Sequence, residues 1–158
     1  MLFQKILDIF SKNNNIKTLF LVDILYMKDL NAIYDFKNGD FIIRQLDSIL
    51  KTNIKELIKE ELKRNIYINI KNTHADVFEI YLLDDLSIEE IVIVKNIIYE
   101  SIVSNNFKLL DNYGTINIDI TIGCAKSEDQ HIKIYAEKAL YNAKLNFIHY
   151  MYYDSFLY

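Results

Sequence analysis

Apolar runs and strict alternations predict five strands in this chain. Residues 16–25 form a short apolar run with β-branched members, which is typical of a central strand buried on both faces. Residues 65–71 alternate between apolar and polar side chains and predict a half-buried strand. The other predicted strands are residues 77–83, 115–124 and 148–153, with a hairpin turn at residues 72–76. Asp23 interrupts the first strand, and an acid in a buried strand requires an explanation.

Apolar residues at intervals of three and four predict the helices between these strands. This spacing occurs in residues 2–11, 27–35, 42–62 and 131–146, the last with Ile134, Ala136, Ala139, Leu140 and Ala143 on its inner side. Residues 42–62 form either one long helix or two joined near Thr52-Asn53, after a turn and helix N-cap at Asn38-Gly39-Asp40. Ser87 and Glu90 form a capping box that begins a helix ending at about Asn105.

The order β-α-α-β-β-α-β-α-β predicts an α+β fold in which helices flank an antiparallel-rich central sheet. A length of 158 residues fits one domain over residues 1–158, with an N-terminal helix and turn in residues 1–15. A net charge of −4 argues against a broad basic face for nucleic acid. The single cysteine, Cys124, and the lack of a signal peptide favour the cytoplasm. The sequence has no long apolar stretch, so we expect no membrane contact by this segment.

The candidate chemistry lies at Asp23, in the first strand, and at Asp76, in the hairpin between the second and third strands. In a sheet of order 3-1-2 or similar, these two acids converge. Neighbouring carboxylates repel each other unless a cation lies between them, and Mg²⁺ binds carboxylate oxygens together with substrate phosphates. The pair is therefore either a Mg²⁺-nucleotide site or two unrelated surface acids at the ends of elements.

Four blocks in the same order as in the GGDEF domain, the diguanylate cyclase family, give the chain a resemblance to that family over nearly its whole length. The blocks are LVDILYMKDLNAIYDFKNGD at residues 21–40, HADVFEIYLL at 74–83, ITIGCAKSED at 120–129 and AEKALYNAK at 136–144. The resemblance implies the ferredoxin-like palm fold of nucleotide cyclases. It also implies a GTP ligand and a Mg²⁺ cofactor.

The resemblance implies a role for six individual residues. Asp23 and Asp76 would bind Mg²⁺, while Lys28 and Lys144 would contact the nucleotide, Lys144 at its triphosphate. Asn31 and Asp40 would hydrogen-bond the guanine edge, whose N–H donors suit an oxygen acceptor. Structural explanations exist beside these roles, because Asn31 and Asp40 are also good turn and N-cap residues, and Lys144 also fits a solvated helix end.

The signature of the family is altered in this chain, which reads His74-Ala75-Asp76-Val77-Phe78 where the family has Gly-Gly-Asp/Glu-Glu-Phe. Without the two glycines, we expect a wider or shifted turn. Val77 replaces the catalytic Glu, and an isopropyl group neither accepts a proton nor binds Mg²⁺. Glu79 is about 7 Å further along the strand, too far to substitute, and we expect His74 to be solvated. The sequence therefore predicts no catalytic residue.

Past Lys144 the family has Gly-Arg-Asn, whereas residues 146–149 read Asn-Phe-Ile-His, so a phosphate-binding arginine is missing. We expect a catalytically inactive GGDEF-like domain that acts in cyclic-di-GMP signalling as a regulatory, GTP-binding or homodimerisation module. Residues 149–158 resemble the segment that leaves a GGDEF domain for a following EAL phosphodiesterase domain. The alternatives are a weakly active cyclase that makes cyclic-di-GMP from two GTP, and a purely structural interaction domain.

Overall fold

A computed structural model describes residues 16–74, 76–126 and 131–153. The predicted helix at residues 2–11, the turn that follows it, and residues 154–158 of the predicted exit segment lie outside the described residues. The described chain is an α+β fold with a mixed, mostly antiparallel sheet between helices, as the sequence pattern predicted.

The five strands of the central sheet are β1 (Thr18–Ile24), β2 (Ile68–His74), β3 (Val77–Leu82), β6 (Ile120–Lys126) and β7 (Tyr150–Tyr152). Their order across the sheet is β2-β3-β1-β6-β7. All neighbours pair antiparallel except β6 and β7, which are parallel. The expected order 3-1-2 is wrong: the hairpin leaves β2 at the edge, and β1 pairs with β3 and β6.

The predicted strand at residues 115–124 is also wrong in its extent. Residues Thr115–Ile116 form β5, which pairs with β4 (Phe107–Lys108) in a separate two-stranded sheet. The chain leaves the strand at Asn117, whose side-chain amide donates to the carbonyl oxygen of Asn105 at 2.9 Å. β6 then begins at Ile120, so the segment contributes to two different sheets.

Five α-helices and one π-helical turn complete the described fold. They are α1 (Met27–Tyr34), α2 (Phe36–Ile49), the π-turn (Leu50–Ile54), α3 (Lys55–Leu62), α4 (Ile88–Val103) and α5 (Ile132–Leu145). The π-turn joins α2 and α3 without a break at the point where the sequence predicted one helix or a junction. The predicted capping box of Ser87 and Glu90 is present at the start of α4.

Two helical layers cover the two faces of the sheet. Alternate residues of β1, such as Phe20 and Val22, are fully buried in a large core with α2, the π-turn, α3 and α4. Leu19 and Leu21 point to the other face, where they pack with Ala136 and Leu140 of α5. Ile134 is about half exposed, so its predicted inward position is wrong, whereas Ala136, Ala139, Leu140 and Ala143 are buried as predicted.

The start of α2 differs from the prediction. Residues 38–40 are helical, and the N-cap is Asp35, whose side chain accepts a hydrogen bond from the backbone N–H of Asn38 at 3.0 Å. Asp35 has a φ of 75°, a left-handed value that lets the chain turn sharply between α1 and α2. Asn38 donates from its side chain to the carbonyl oxygen of Tyr34, which is why this polar residue is buried inside the helix rather than in a turn.

The hairpin between β2 and β3 is tight, with His74 paired to Val77. The pairing register between β2 and β3 shifts between Asn72 and His74. The turn is therefore shifted rather than widened, which is one of the two outcomes expected for the altered signature. None of the helices in the described ranges is long and apolar enough to cross a membrane.

Candidate functional site

A cleft of about 700 Å³ opens at the C-terminal end of β1. One wall is the end of β1 with the first residues of α1, and the opposite wall is the end of α5 with the residues that follow it. Asp76 of the hairpin and Asp119 and Thr121 at the start of β6 complete the lining. A cleft of this volume can hold a nucleotide-sized ligand.

Asp23 lies at the floor of this cleft and is only 4% exposed. Its carboxylate Oδ2 lies 2.6 Å from Nζ of Lys144, which extends from the last turn of α5. Burial raises the pKa of Asp23, and the hydrogen bond and charge of Lys144 oppose that rise. The acid that interrupts an otherwise apolar strand is therefore explained by its position in the cleft and by its ion pair.

Asp76 is brought to the same place by the hairpin. Its backbone carbonyl accepts a hydrogen bond from the N–H of Ile24 at 3.0 Å, which ties the turn to the end of β1. The negative charge of Asp76 further raises the pKa of Asp23, as expected for two carboxylates that share a site. The two predicted acids therefore do line one cleft.

Val77 lies directly opposite Asp23 in the pairing of β1 with β3. Side chains at paired positions lie on the same face of the sheet, with Cβ atoms about 4.5–5.5 Å apart. In the signature of the GGDEF family, the position that corresponds to Val77 is the catalytic Glu. A carboxylate at this position would face Asp23. In this chain that side chain is an isopropyl group.

The donor set fits Mg²⁺ only in part. Asp23 and Asp76 are hard oxygen donors in one cleft, and Mg²⁺ is commonly held by one or two carboxylates together with phosphates and waters. Within residues 16–74, 76–126 and 131–153, no group of three His, Cys, Asp or Glu side chains could hold a metal ion. A bound Mg²⁺ would therefore need oxygen atoms from a phosphate ligand or from water.

The other four predicted residues divide into two places. Lys28 and Lys144 line the cleft, where Lys28 is exposed on the first turn of α1. Asn31 and Asp40 lie outside the lining, at the contact between α1 and α2. Gly39 is packed so closely against Asn31 that a Cβ there would lie 2.0 Å from Oδ1 of Asn31.

Asn31 Oδ1 is buried, and it is one of three buried side-chain oxygens in the described residues that have no hydrogen-bond partner. A buried acceptor without a partner is costly, and in a native structure it is often explained by a missing ligand or water. Asp40 is exposed and follows Gly39 directly, so the two predicted guanine contacts belong to one neighbourhood.

Glu79 lies two pairs further along the ladder than Val77, opposite Leu21 rather than Asp23. It is buried, and its Oε1 lies 2.6 Å from Nζ of Lys133 and accepts a hydrogen bond from the hydroxyl of Thr73 at 3.1 Å. Glu79 does not line the cleft. Its bonds tie β2 and β3 to the first turn of α5.

Sequence reasoning missed the polar residues at the far wall of the cleft. Asp119 and His149 both line it, and Nδ1 of His149 lies 3.4 Å from Oδ1 of Asp119. Burial raises the pKa of Tyr99, and the negative charges of Asp119 and Glu100 raise it further. The Tyr99 hydroxyl also forms a hydrogen bond with Asp119. No motif marks these residues, because only the parallel pairing of β7 with β6 brings His149 beside Asp119.

No protein-family model and no curated protein matches this sequence. Solved structures do match its fold. The GGDEF domain of DgcB from Caulobacter crescentus, in complex with c-di-GMP, has a TM-score of 0.71 and 17% identity, over 87% of this chain and 78% of that one. The active GGEEF domain of a diguanylate cyclase from Vibrio cholerae has a TM-score of 0.64 and 15% identity, over 94% and 90%.

An EAL/GGDEF domain protein from M. capsulatus is similar as well, with a TM-score of 0.64 and 19% identity over 89% of this chain and 86% of that one. The fold is therefore that of GGDEF domains, as the sequence blocks predicted. Identities below 20% establish the fold, while activity depends on the residues of the site.

Proposed function

We propose that this chain is a catalytically inactive GGDEF-like domain that binds GTP with Mg²⁺ and acts as a regulatory module in cyclic-di-GMP signalling. The observation that carries the proposal is the pairing of Asp23 with Val77. The position facing the buried acid has lost its carboxylate, so a general base and a metal ligand are missing together. Loss of a general base alone typically lowers a rate about 10²- to 10⁴-fold.

GTP binding is supported by features that remain. Asp23 and Asp76 share the cleft with Lys28 and Lys144, so a Mg²⁺ ion and phosphate groups would both find opposite charges there. Asn31 lies outside the cleft lining, and its buried, unpaired Oδ1 is an acceptor of the kind that guanine N–H donors require. Asp23 and Asp76 would hold the metal, Lys28 and Lys144 the phosphates, and Asn31 and Asp40 the base.

The proposed function also includes a protein domain that responds to GTP binding. The likeness to an EAL/GGDEF domain protein supports an adjacent or partner EAL phosphodiesterase domain as the recipient of the signal. GTP could influence that domain only if its affinity differs between two states of the parent protein. Homodimerisation through this domain is the other form that regulation could take. We place this activity in the cytoplasm, where GTP is available.

A product assay tests the inactive state. Purified protein is incubated with GTP and Mg²⁺, and cyclic-di-GMP is measured by chromatography beside the Val77→Glu variant. We expect no product from the natural sequence. A cyclic-di-GMP signal that disappears in Asp23→Asn would contradict the proposal and establish a weakly active cyclase instead.

A further inference from the structure

His149 is held in one orientation at the wall of the cleft. Its Nδ1 lies 3.2 Å from the carbonyl oxygen of Ile120 and 3.4 Å from Oδ1 of Asp119. Its ring packs against Tyr99, with centroids 5.3 Å apart, and its backbone carbonyl accepts from the N–H of Ile122 at 2.7 Å. The imidazole is therefore fixed through both its backbone and its ring.

These contacts determine which nitrogen of His149 is available. Both groups beside Nδ1 are acceptors, so Nδ1 carries a proton whether the ring is neutral or charged. Nε2 lies on the other edge of the ring and is the nitrogen left to contact a ligand. The side chain is 50% exposed and lines the cleft with Lys144 and Asp23.

We propose that Nε2 of His149 donates a hydrogen bond to a phosphate group of the nucleotide in this cleft, with Asp119 as its positioning residue. The proposal rests on the proposed function, because it assigns a residue to the same nucleotide. Lys144 is already bonded to Asp23, so its charge is partly neutralised before any phosphate arrives. In its protonated form the imidazole would add a third cationic group to the lining, beside Lys28 and Lys144.

A charged imidazole would bind phosphate more tightly than a neutral one, and histidine side chains in general change charge between about pH 5 and 8. The charged or titratable groups around His149 come from the elements that form the cleft and from α4. The cleft itself contributes Asp119, which lies beside the ring, together with Lys144, Asp23, Lys28, Asp29 and Asp76. Helix α4 contributes Tyr99 and Glu100, and also Lys95, which lies above the Tyr150 ring.

The test is a calorimetric titration of the whole chain at pH 6 and pH 8, with GTP and with inorganic tripolyphosphate, each with Mg²⁺. The key variant is His149→Asn, whose amide nitrogen can replace Nδ1 but which has no counterpart of Nε2. Because the terminal phosphate of GTP also titrates near pH 6, the informative quantity is the affinity ratio between the two pH values in each protein.

We expect the ratio of pH 6 to pH 8 affinity to be about tenfold larger for the natural sequence than for His149→Asn, the effect of one charged hydrogen bond. Asp119→Asn should reduce the ratio in part. His131→Asn, the matched histidine control, should leave it unchanged. His149→Gln replaces the key variant if His149→Asn does not fold.

Equal ratios in the natural sequence and in His149→Asn would overturn this inference and leave GTP binding intact. Tripolyphosphate binding that depends on His149, without GTP binding, would support the phosphate contact and contradict the proposed GTP ligand. Binding of neither ligand at either pH would contradict the proposed function, and this inference with it.

Discussion

Lys144 reaches from the last turn of α5 to place its Nζ 2.6 Å from Oδ2 of Asp23, at the end of the central strand. This contact links the helix on one face of the sheet to the floor of the cleft. The Asp23 side chain is 5% exposed and that of Lys144 is 42% exposed, so the acid is the partner that depends on the pair. Both the loss of Lys144 and the protonation of Asp23 should therefore change the stability of the fold.

Removal of the lysine should destabilise the fold. In Lys144→Met the buried carboxylate loses its counterion, and we expect the free energy of unfolding to fall by about 1–3 kcal/mol, less than for a fully buried pair because Lys144 is partly solvated. Urea denaturation measures the change. The double variant Asp23→Asn/Lys144→Met should regain most of the loss, and Lys138→Met, exposed on the same helix, should change little. Equal losses in the single and double variants would show that the ion pair is not the cause.

Asp23 should also make stability depend on pH. Because burial raises its pKa in the folded state above 3.8, the folded protein holds this proton more tightly than the unfolded chain. The contribution of Asp23 is therefore most favourable at low pH and is lost as pH rises through the raised pKa. We expect the natural sequence to lose stability relative to Asp23→Asn between pH 4 and pH 7. A constant difference over this range would contradict the assigned direction.

Restoring a carboxylate opposite Asp23 should create a stronger metal site. In Val77→Glu, three acids would meet at the cleft, so we expect lower stability without metal and a larger gain on adding Mg²⁺ than in the natural sequence. At Mg²⁺ tenfold above its dissociation constant, the gain is about 1.4 kcal/mol. Thermal unfolding with and without Mg²⁺ measures it. Val77→Gln, which has the shape of the glutamate variant without its charge, should respond no more than the natural sequence; a response equal to that of Val77→Glu would exclude a metal site at this pair.

The position of α5 depends on Gly123 in β6. A Cβ at Gly123 would lie 2.4 Å from the backbone N of Leu140 and 2.6 Å from the carbonyl oxygen of Ala136. Backbone atoms cannot rotate away, so Gly123→Ala should push α5 off the sheet and cost about 1–3 kcal/mol. Gly39→Ala is the matched control, because the atoms nearest to its Cβ would be side-chain atoms of Asn31 and Met27 rather than backbone atoms. Similar losses in both variants would contradict this account of α5 packing.

The strands and helices with strong periodicity were predictable from the sequence. The run containing Asp23, the capping box at Ser87 and the helix containing Lys144 all appear near their expected bounds. The start of α2 was not predictable. The N-cap at Asp35 was missed because Asn38, a good cap residue by type, is buried through its bond to Tyr34.

Part of the candidate site was also predictable from the sequence. The convergence of Asp23 and Asp76 could be expected because a hairpin and its neighbouring strand end at one edge of the sheet. The contribution of His149 and Asp119 could not be expected, because it arises from the pairing of the short strand β7 with β6. Such pairing joins segments with no shared motif.

The most direct test of the central claim is calorimetric titration of GTP with Mg²⁺ into the natural chain and into Asp23→Ala. We predict measurable binding by the natural sequence and its loss in the variant, because the variant removes a carboxylate that would hold the metal. Thermal unfolding of Asp23→Ala confirms that the variant is folded. No heat from the natural chain at millimolar GTP, or equal binding by both proteins, would contradict a nucleotide site at Asp23 and Asp76.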